Sequence, residues 1–352
     1  RELAVTVRRV VPGTDDSESW IEIRGTAEGS PAESWRGALG ARDVAWSPDG
    51  RYVSYVASAP GGGQDGASAL FLYDREAGHV APLLDSVKEL GGYLWSPSGT
   101  AIVYSTTVKA EKDERGVKLV QGLMDRWATY RDKSFLHLVG VPGGARRRLT
   151  AGDLTTSAVA FSPDGGRLLF TRRVEQLDQR PYARTELWEL DLSDFAARKM
   201  RDFLWFSDGA YAPDGEQILV AAGATEFGGV GLDLPEGVIP NTYDGQLFLW
   251  DPAADEAEPI TRDFDPSVTD ARWSRADGMI YLTAEDRDLV RLYRYDPSAR
   301  TFTIVETGNQ QVRRFDLAQS APTAALLGSS PWVPQRLIAV DLASGASRTL
   351  QH

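Results

Sequence analysis

The sequence has no cysteine in 352 residues and only three histidines, His79, His137 and His352. Without thiols there is no disulfide, no thiolate nucleophile, no zinc–thiolate site and no iron–sulfur cluster. The imidazoles offer little more. His137 alternates with Leu136 and Leu138 in an expected strand, His79 falls in a turn, and His352 is the last residue. No serine-hydrolase elbow of the form Gly-x-Ser-x-Gly occurs; Gly328-Ser329-Ser330 comes nearest, but Pro331 and Trp332 follow. The acidic pairs Asp263/Asp265 and Asp286/Asp288 lack the spacing of a calcium loop and read as turn and rim residues. No catalytic residue, metal site or cofactor is therefore expected in the chain.

Basic charge is also scarce. Lys and Arg number 38 against 50 Asp and Glu, a net charge of −12 that opposes binding along a phosphate backbone. No apolar run approaches the roughly 18 residues of a membrane helix. Neither nucleic acid nor membrane is an expected partner. The lack of cysteine suits a reducing cytosol or a disulfide-free secreted protein, with the cytoplasm the expected compartment.

What the chain does have is repetition, set against 34 Gly, 19 Pro and 10 Trp. Ala45-Trp46-Ser47-Pro48-Asp49-Gly50 returns as Leu94-Trp95-Ser96-Pro97-Ser98-Gly99 and as Ala160-Phe161-Ser162-Pro163-Asp164-Gly165. Tyr211-Ala212-Pro213-Asp214-Gly215 is a further copy, and Arg272-Trp273-Ser274-Arg275-Ala276-Asp277-Gly278 a looser one. Pro presets φ at the first corner, Asp bonds nearby amides and Gly takes positive φ, so each phrase is a tight reversal. The aromatic before each turn is expected to pack between neighbouring sheets.

A β-branched or aromatic run of strand length follows every copy, as in Tyr52–Val56, Ala101–Ser105 and Ile280–Thr283. A variable stretch comes next, then a strand ending in Asp before a turn, such as Leu70–Asp74, Leu247–Asp251 or Leu337–Asp341. A short fourth strand closes the unit, for example Arg146–Thr150. Four antiparallel strands repeated at this period define an all-β fold, a β-propeller of seven blades in one domain spanning 1–352. The blades fall at about 1–38, 39–86, 87–151, 152–200, 201–264, 265–307 and 308–352. The first is incomplete. Leu3–Val10 and Trp20–Ile23 lie on Leu168–Val174 and Leu187–Leu190, so the chain enters at the second strand of a blade and reads as a fragment of a longer protein.

The first-to-second turns are short, whereas the second-to-third connections vary and are long at about 57–68, 106–134, 174–185 and 222–245. Topology sends all of these to one face, where long loops on a rigid scaffold carry binding function. The longest holds a mixed-charge run, Val108–Arg115, and then Arg126, Trp127, Tyr130 and Asp132, which are able to anchor a peptide or a partner domain. The 222–245 insertion is glycine-rich but does not open a helix after a strand, so it is not read as a phosphate cradle.

The repeats resemble those of TolB-type propellers and of the prolyl oligopeptidase family of serine peptidases. Three local matches favour the peptidases. Leu123–Leu138 resembles the Arg-Trp-Asp-x-Trp/Tyr…Asp-Gly-Lys…His-Leu stretch of acylaminoacyl-peptidase and dipeptidyl-peptidase-5-like enzymes, with Ala128 in place of an acid. Tyr281–Arg287 with Leu292–Arg294 is the second match. The third, Ser329–Pro331 with Pro334–Gly345, resembles the segment before the hydrolase domain. The resemblance implies a non-catalytic propeller that gates short peptides for an α/β-hydrolase domain of the same protein, C-terminal to residue 352. It implies peptide contacts at Arg126, Trp127, Tyr130, Asp132 and Glu226. A stand-alone TolB-like interaction module is the alternative, and homo-oligomerisation is left open.

Overall fold

The computed structural model describes residues 2–26, 32–35 (backbone only), 40–61, 66–111, 132–176, 180–235, 237–241 and 244–351. The chain divides into two compact units, Arg1–Arg201 and Asp202–His352.

The first unit begins with a three-stranded antiparallel sheet, β1 (Glu2–Val10), β2 (Ser17–Gly25) and β3 (Ala32–Trp35). Three four-stranded meanders follow. They are β4 (Arg42–Trp46), β5 (Tyr52–Ser58), β6 (Ser68–Asp74) and β7 (His79–Val87); β8 (Leu90–Trp95), β9 (Ala101–Val108), β10 (Lys133–Gly140) and β11 (Arg146–Arg148); and β12 (Thr155–Phe161), β13 (Arg167–Glu175), β14 (Ala183–Asp191) and β15 (Ala197–Phe203).

The second unit repeats the pattern. Its strands are β16 (Phe206–Tyr211), β17 (Ile218–Gly223), β18 (Gly245–Asp251) and β19 (Glu256–Pro259), with the short α1 (Glu226–Gly229) between β17 and β18. Next come β20 (Ser267–Trp273), β21 (Ile280–Asp286), β22 (Leu289–Asp296) and β23 (Thr301–Val305), then β24 (Gln311–Leu317), β25 (Thr323–Ser330), β26 (Val333–Asp341) and β27 (Ser347–Gln351). One parallel bridge, Val290 to Gln311, links these last two sheets. The fold is a β-propeller, and among the described residues no strand pairing joins the last sheet to the first.

The repeated turn holds itself together. Ser47 exchanges backbone bonds with Tyr52 and Gly50, while its hydroxyl accepts the Tyr52 N–H at 2.8 Å and donates to Asp49. Gly50 sits at φ +72°, where only glycine is unstrained. Ser96 and Ser162 repeat the hydroxyl bond to Ala101 N–H and Arg167 N–H. At the other end of the blade, in all but the first sheet and the β8–β11 sheet, an aspartate caps the third-strand turn. Asp74, Asp251, Asp296 and Asp341 each accept the amides two and three residues ahead.

The aromatics pack as expected. Trp95 stacks on Tyr52 of the preceding sheet at 6.4 Å and donates its indole N–H to Ser54 at 2.8 Å. Second strands form the centre of the core: β5 is buried from Tyr52 to Ala57, and β21 from Ile280 to Ala284. Two features lie beyond the repeat pattern. Every innermost strand, β4, β8, β12, β16, β20 and β24, carries a register shift. Such a bulge re-aims the side chains beside it. And the buried Thr150 and Thr261 hydroxyls accept the Leu136 and Leu247 N–H groups, both at 2.8 Å, fixing fourth strand to third.

Candidate functional site

The lengths of the second-to-third connections match the sequence reading. They span 59–67, 109–132 and 176–182 in the first unit and 224–244 in the second, against two-residue turns at 287–288 and 331–332. In each unit the long connections define a candidate site, whose chemistry lies at their bases.

In the first unit the strands flanking the 109–132 connection are clamped together. Asp132 accepts the Ala110 N–H at 2.9 Å and lies 3.2 Å from the Lys109 ammonium, which also reaches Glu89 at 3.3 Å. The Ala110 amide and Lys109 hold the Asp132 carboxyl below the usual aspartate range. The Asp132 carbonyl accepts the Thr155 hydroxyl, and Lys133 pairs with Glu175 at 3.2 Å, tying this neck to the next sheet. Arg126, Trp127 and Tyr130 lie outside the described residues. Of the aromatic-acid set read from the sequence, Asp132 alone is placed, and it is engaged by the neck itself.

His137 sits just below. Its Nε2 is 2.9 Å from the Thr106 hydroxyl and its ring stacks on Tyr104 at 5.1 Å. Burial, and less so Arg148, push its pKa down, and its contacts are those of a structural side chain, as its strand position indicated.

In the second unit the base of the 224–244 connection is set by Glu226. Its buried carboxylate accepts the Leu204 and Trp205 N–H groups, each at 2.8 Å. Phe227 follows at φ +52° and drives its ring among Phe203, Phe248 and Trp250 at 5.0–5.8 Å. A Cβ on Gly231 would come within 2.9 Å of Phe248 and 3.0 Å of the Ala224 carbonyl, so glycine is required there. Glu226, expected at a peptide, thus anchors the loop from beneath. Further along this connection Leu234, Val238 and Ile239 are exposed, as is Trp332, at 93%, in the β25–β26 turn.

A second charged group was missed in the sequence. Asp208, Asp270 and Asp316 come from the innermost strands β16, β20 and β24, and Arg272 lies 3.3 Å from Asp270 and 3.9 Å from Asp208. Desolvation raises the Asp208 and Asp316 carboxyls, only partly offset by the Gly209 and Leu317 amides and by Arg272. A signal was present, since Asp208 and Asp270 each stand three residues before the aromatic of the repeated phrase. Among the described residues no group of His, Asp and Glu has the makings of a metal site.

Comparison with known proteins adds the following. No family model matches the chain. The uncharacterized peptidase YuxL of Bacillus subtilis (strain 168) is 29% identical over 178 residues, which are 47% of this chain and 26% of that protein. The Pyrococcus horikoshii acylaminoacyl peptidase superposes over 100% of this chain and 51% of its own, with TM-score 0.72 and 15% identity. The β-propeller domain of the trilobed protease from Pyrococcus furiosus, described as an open velcro topology, is covered over 94% of its length, with TM-score 0.71 and 14% identity. The chain thus spans about half of the solved peptidase and about a quarter of the curated relative. The fold is that of the propeller domains of prolyl oligopeptidase-type peptidases, in line with the resemblance carried by the repeats.

Proposed function

We propose that this chain is the non-catalytic propeller of a prolyl oligopeptidase-type serine peptidase, admitting and orienting short peptides for an α/β-hydrolase domain of the same protein. One observation carries the reading: the chain superposes in full on half of a peptidase and on nearly all of an isolated peptidase propeller. The structure supplies supporting chemistry. A rigid scaffold holds long connections by clamped bases, at Lys109–Asp132 in the first unit and at Glu226 in the second, and exposes Ile239 on one such connection and Trp332 in the short β25–β26 turn. Exposed large apolar groups of this kind are at home against a partner domain or a peptide.

The test uses the full-length gene product and a graded series of peptides of increasing length. Replacing residues 112–131 by a short Gly/Ser link is expected to raise cleavage of long peptides several-fold relative to short ones, because the gate is widened. An unchanged ratio of long to short rates, with the variant folded by circular dichroism, contradicts gating by this connection.

A further inference from the structure

The outermost strand of a sheet leaves one row of backbone donors and acceptors open, and proteins blunt such an edge with charge, proline or shortness. Most outermost strands here obey that rule. β3, β7, β11, β15, β19 and β27 each carry charge, at Glu33, Asp85, Arg147, Lys199, Glu258 and Arg348. β23 does not. Its residues, Thr301-Phe302-Thr303-Ile304-Val305, are all β-branched or aromatic, with neither charge nor proline.

Among the described residues β23 pairs with β22 alone. The chain from β22 through β24 is described without a break, so this open edge belongs to the sheet itself. Thr301, Thr303 and Ile304 are exposed, while the Phe302 ring lies 4.3 Å from that of Phe264 and 4.7 Å from that of Tyr295. The strand is thus pinned from within its own sheet. A partner meets it already ordered, which lowers the cost of binding.

The ends of β23 carry opposite charges. Arg300 precedes it, 70% exposed and 3.1 Å from Glu258, and the exposed Glu306 follows it. Pairing two copies antiparallel about Thr303 sets Arg300 of each copy opposite Glu306 of the other. Between these ends Thr301 meets Val305, Phe302 meets Ile304 and Thr303 meets itself, all favourable cross-strand pairs. A shift of two residues opposes Arg300 to Ile304 or to Gly308 and loses both charge pairs. The segment is therefore complementary to itself, as a two-fold contact between identical chains requires.

We propose that β23 is the surface through which two copies of this protein join, as an antiparallel strand pair with its two-fold axis at Thr303. Main-chain bonds between the strands supply the attraction, and the Arg300–Glu306 pairs set the register. The guanidinium has five donors, enough to serve Glu258 and Glu306 of the second copy together. The contact is short, so the dimer is weak and forms in proportion to concentration.

The test is sedimentation velocity of the full-length gene product over an about hundredfold range of concentration, across which a dimer fraction is expected to grow. Arg300→Glu and Glu306→Arg each place like charges opposite one another at both ends, and each is expected to weaken the dimer at least about tenfold. Glu306→Arg does so with the Arg300–Glu258 pair left in place. Mixed together, the two variants are expected to dimerise again, because every end then meets its opposite. A protein that stays monomeric across the range overturns the proposal. So does a dimer that neither variant weakens, or a mixture of the two variants that fails to restore it.

Discussion

The Asp132 carboxylate accepts the Ala110 N–H across a connection of more than twenty residues, so the first and last described parts of the longest loop meet at 2.9 Å. Lys109 adds its charge from the same side. The rim of the first unit is thus fixed where the loop leaves the sheet, whatever the loop does further out.

Replacing Asp132 by Ala removes this acceptor. Amide exchange at 109–111 and 133–134 is expected to accelerate about tenfold, with little change in the rest of the unit. Because the folded carboxyl titrates below its usual range, the bond is complete above the ordinary Asp pKa and is lost as pH falls through the folded value. Exchange measured against pH in the wild type is expected to rise at the acid end, and in the Ala variant that rise is absent.

Glu226 is the corresponding anchor of the second unit. Glu226→Ala removes the shared acceptor of the Leu204 and Trp205 amides and is expected to cost roughly 1–3 kcal/mol in urea unfolding. Glu226→Gln keeps an oxygen acceptor and is expected to lose less than half as much. Equal losses for the two variants contradict the anchoring role.

The Thr261 hydroxyl accepts the Leu247 N–H and donates to Gln246 at 2.8 Å. Thr261→Val keeps the shape and removes both bonds, with an expected loss of about 1–3 kcal/mol. Thr150→Val is expected to behave alike, since Thr150 holds Leu136 in the same way. Unfolding midpoints of the two single variants check this.

Asp208 and Asp316 are held above the usual aspartate range by desolvation, against the opposing pull of Arg272. A raised folded value means that the folded state binds the proton more tightly. The stability it adds is complete below the ordinary Asp pKa of about 3.9 and is lost as pH rises through the folded values. Carboxyl-carbon NMR titration is expected to show both groups late. Asp208→Asn with Asp316→Asn is expected to flatten the pH dependence of unfolding in that window.

Most of the architecture was legible because the fold states its local rules repeatedly. Ser47-Pro48-Asp49-Gly50 and Asp74, with their copies, mark the turns of most blades, and the strands fall between them. The differences in connection length also showed in the spacing of those marks. Other features have no fixed sequence form. The innermost-strand bulges fall on Ser207, Thr269 and Arg313 alike, because a bulge is set by the pairing of two strands rather than by residue type. Glu226 was expected at a peptide, and only the approach of the Leu204–Trp205 backbone shows its carboxylate bonded within the chain. Asp208 and Asp270 share a place three residues before the repeated aromatic, but they stand 62 residues apart and only the stacking of their sheets brings both to Arg272.

The central claim is that this propeller serves a serine hydrolase that it does not itself contain. Fluorophosphonate labelling of the full-length gene product, followed by peptide mapping, tests it most directly. The account predicts one covalently labelled serine outside residues 1–352 and no label on the 352-residue chain alone. A labelled serine within 1–352, or a folded full-length protein that takes no label, contradicts it.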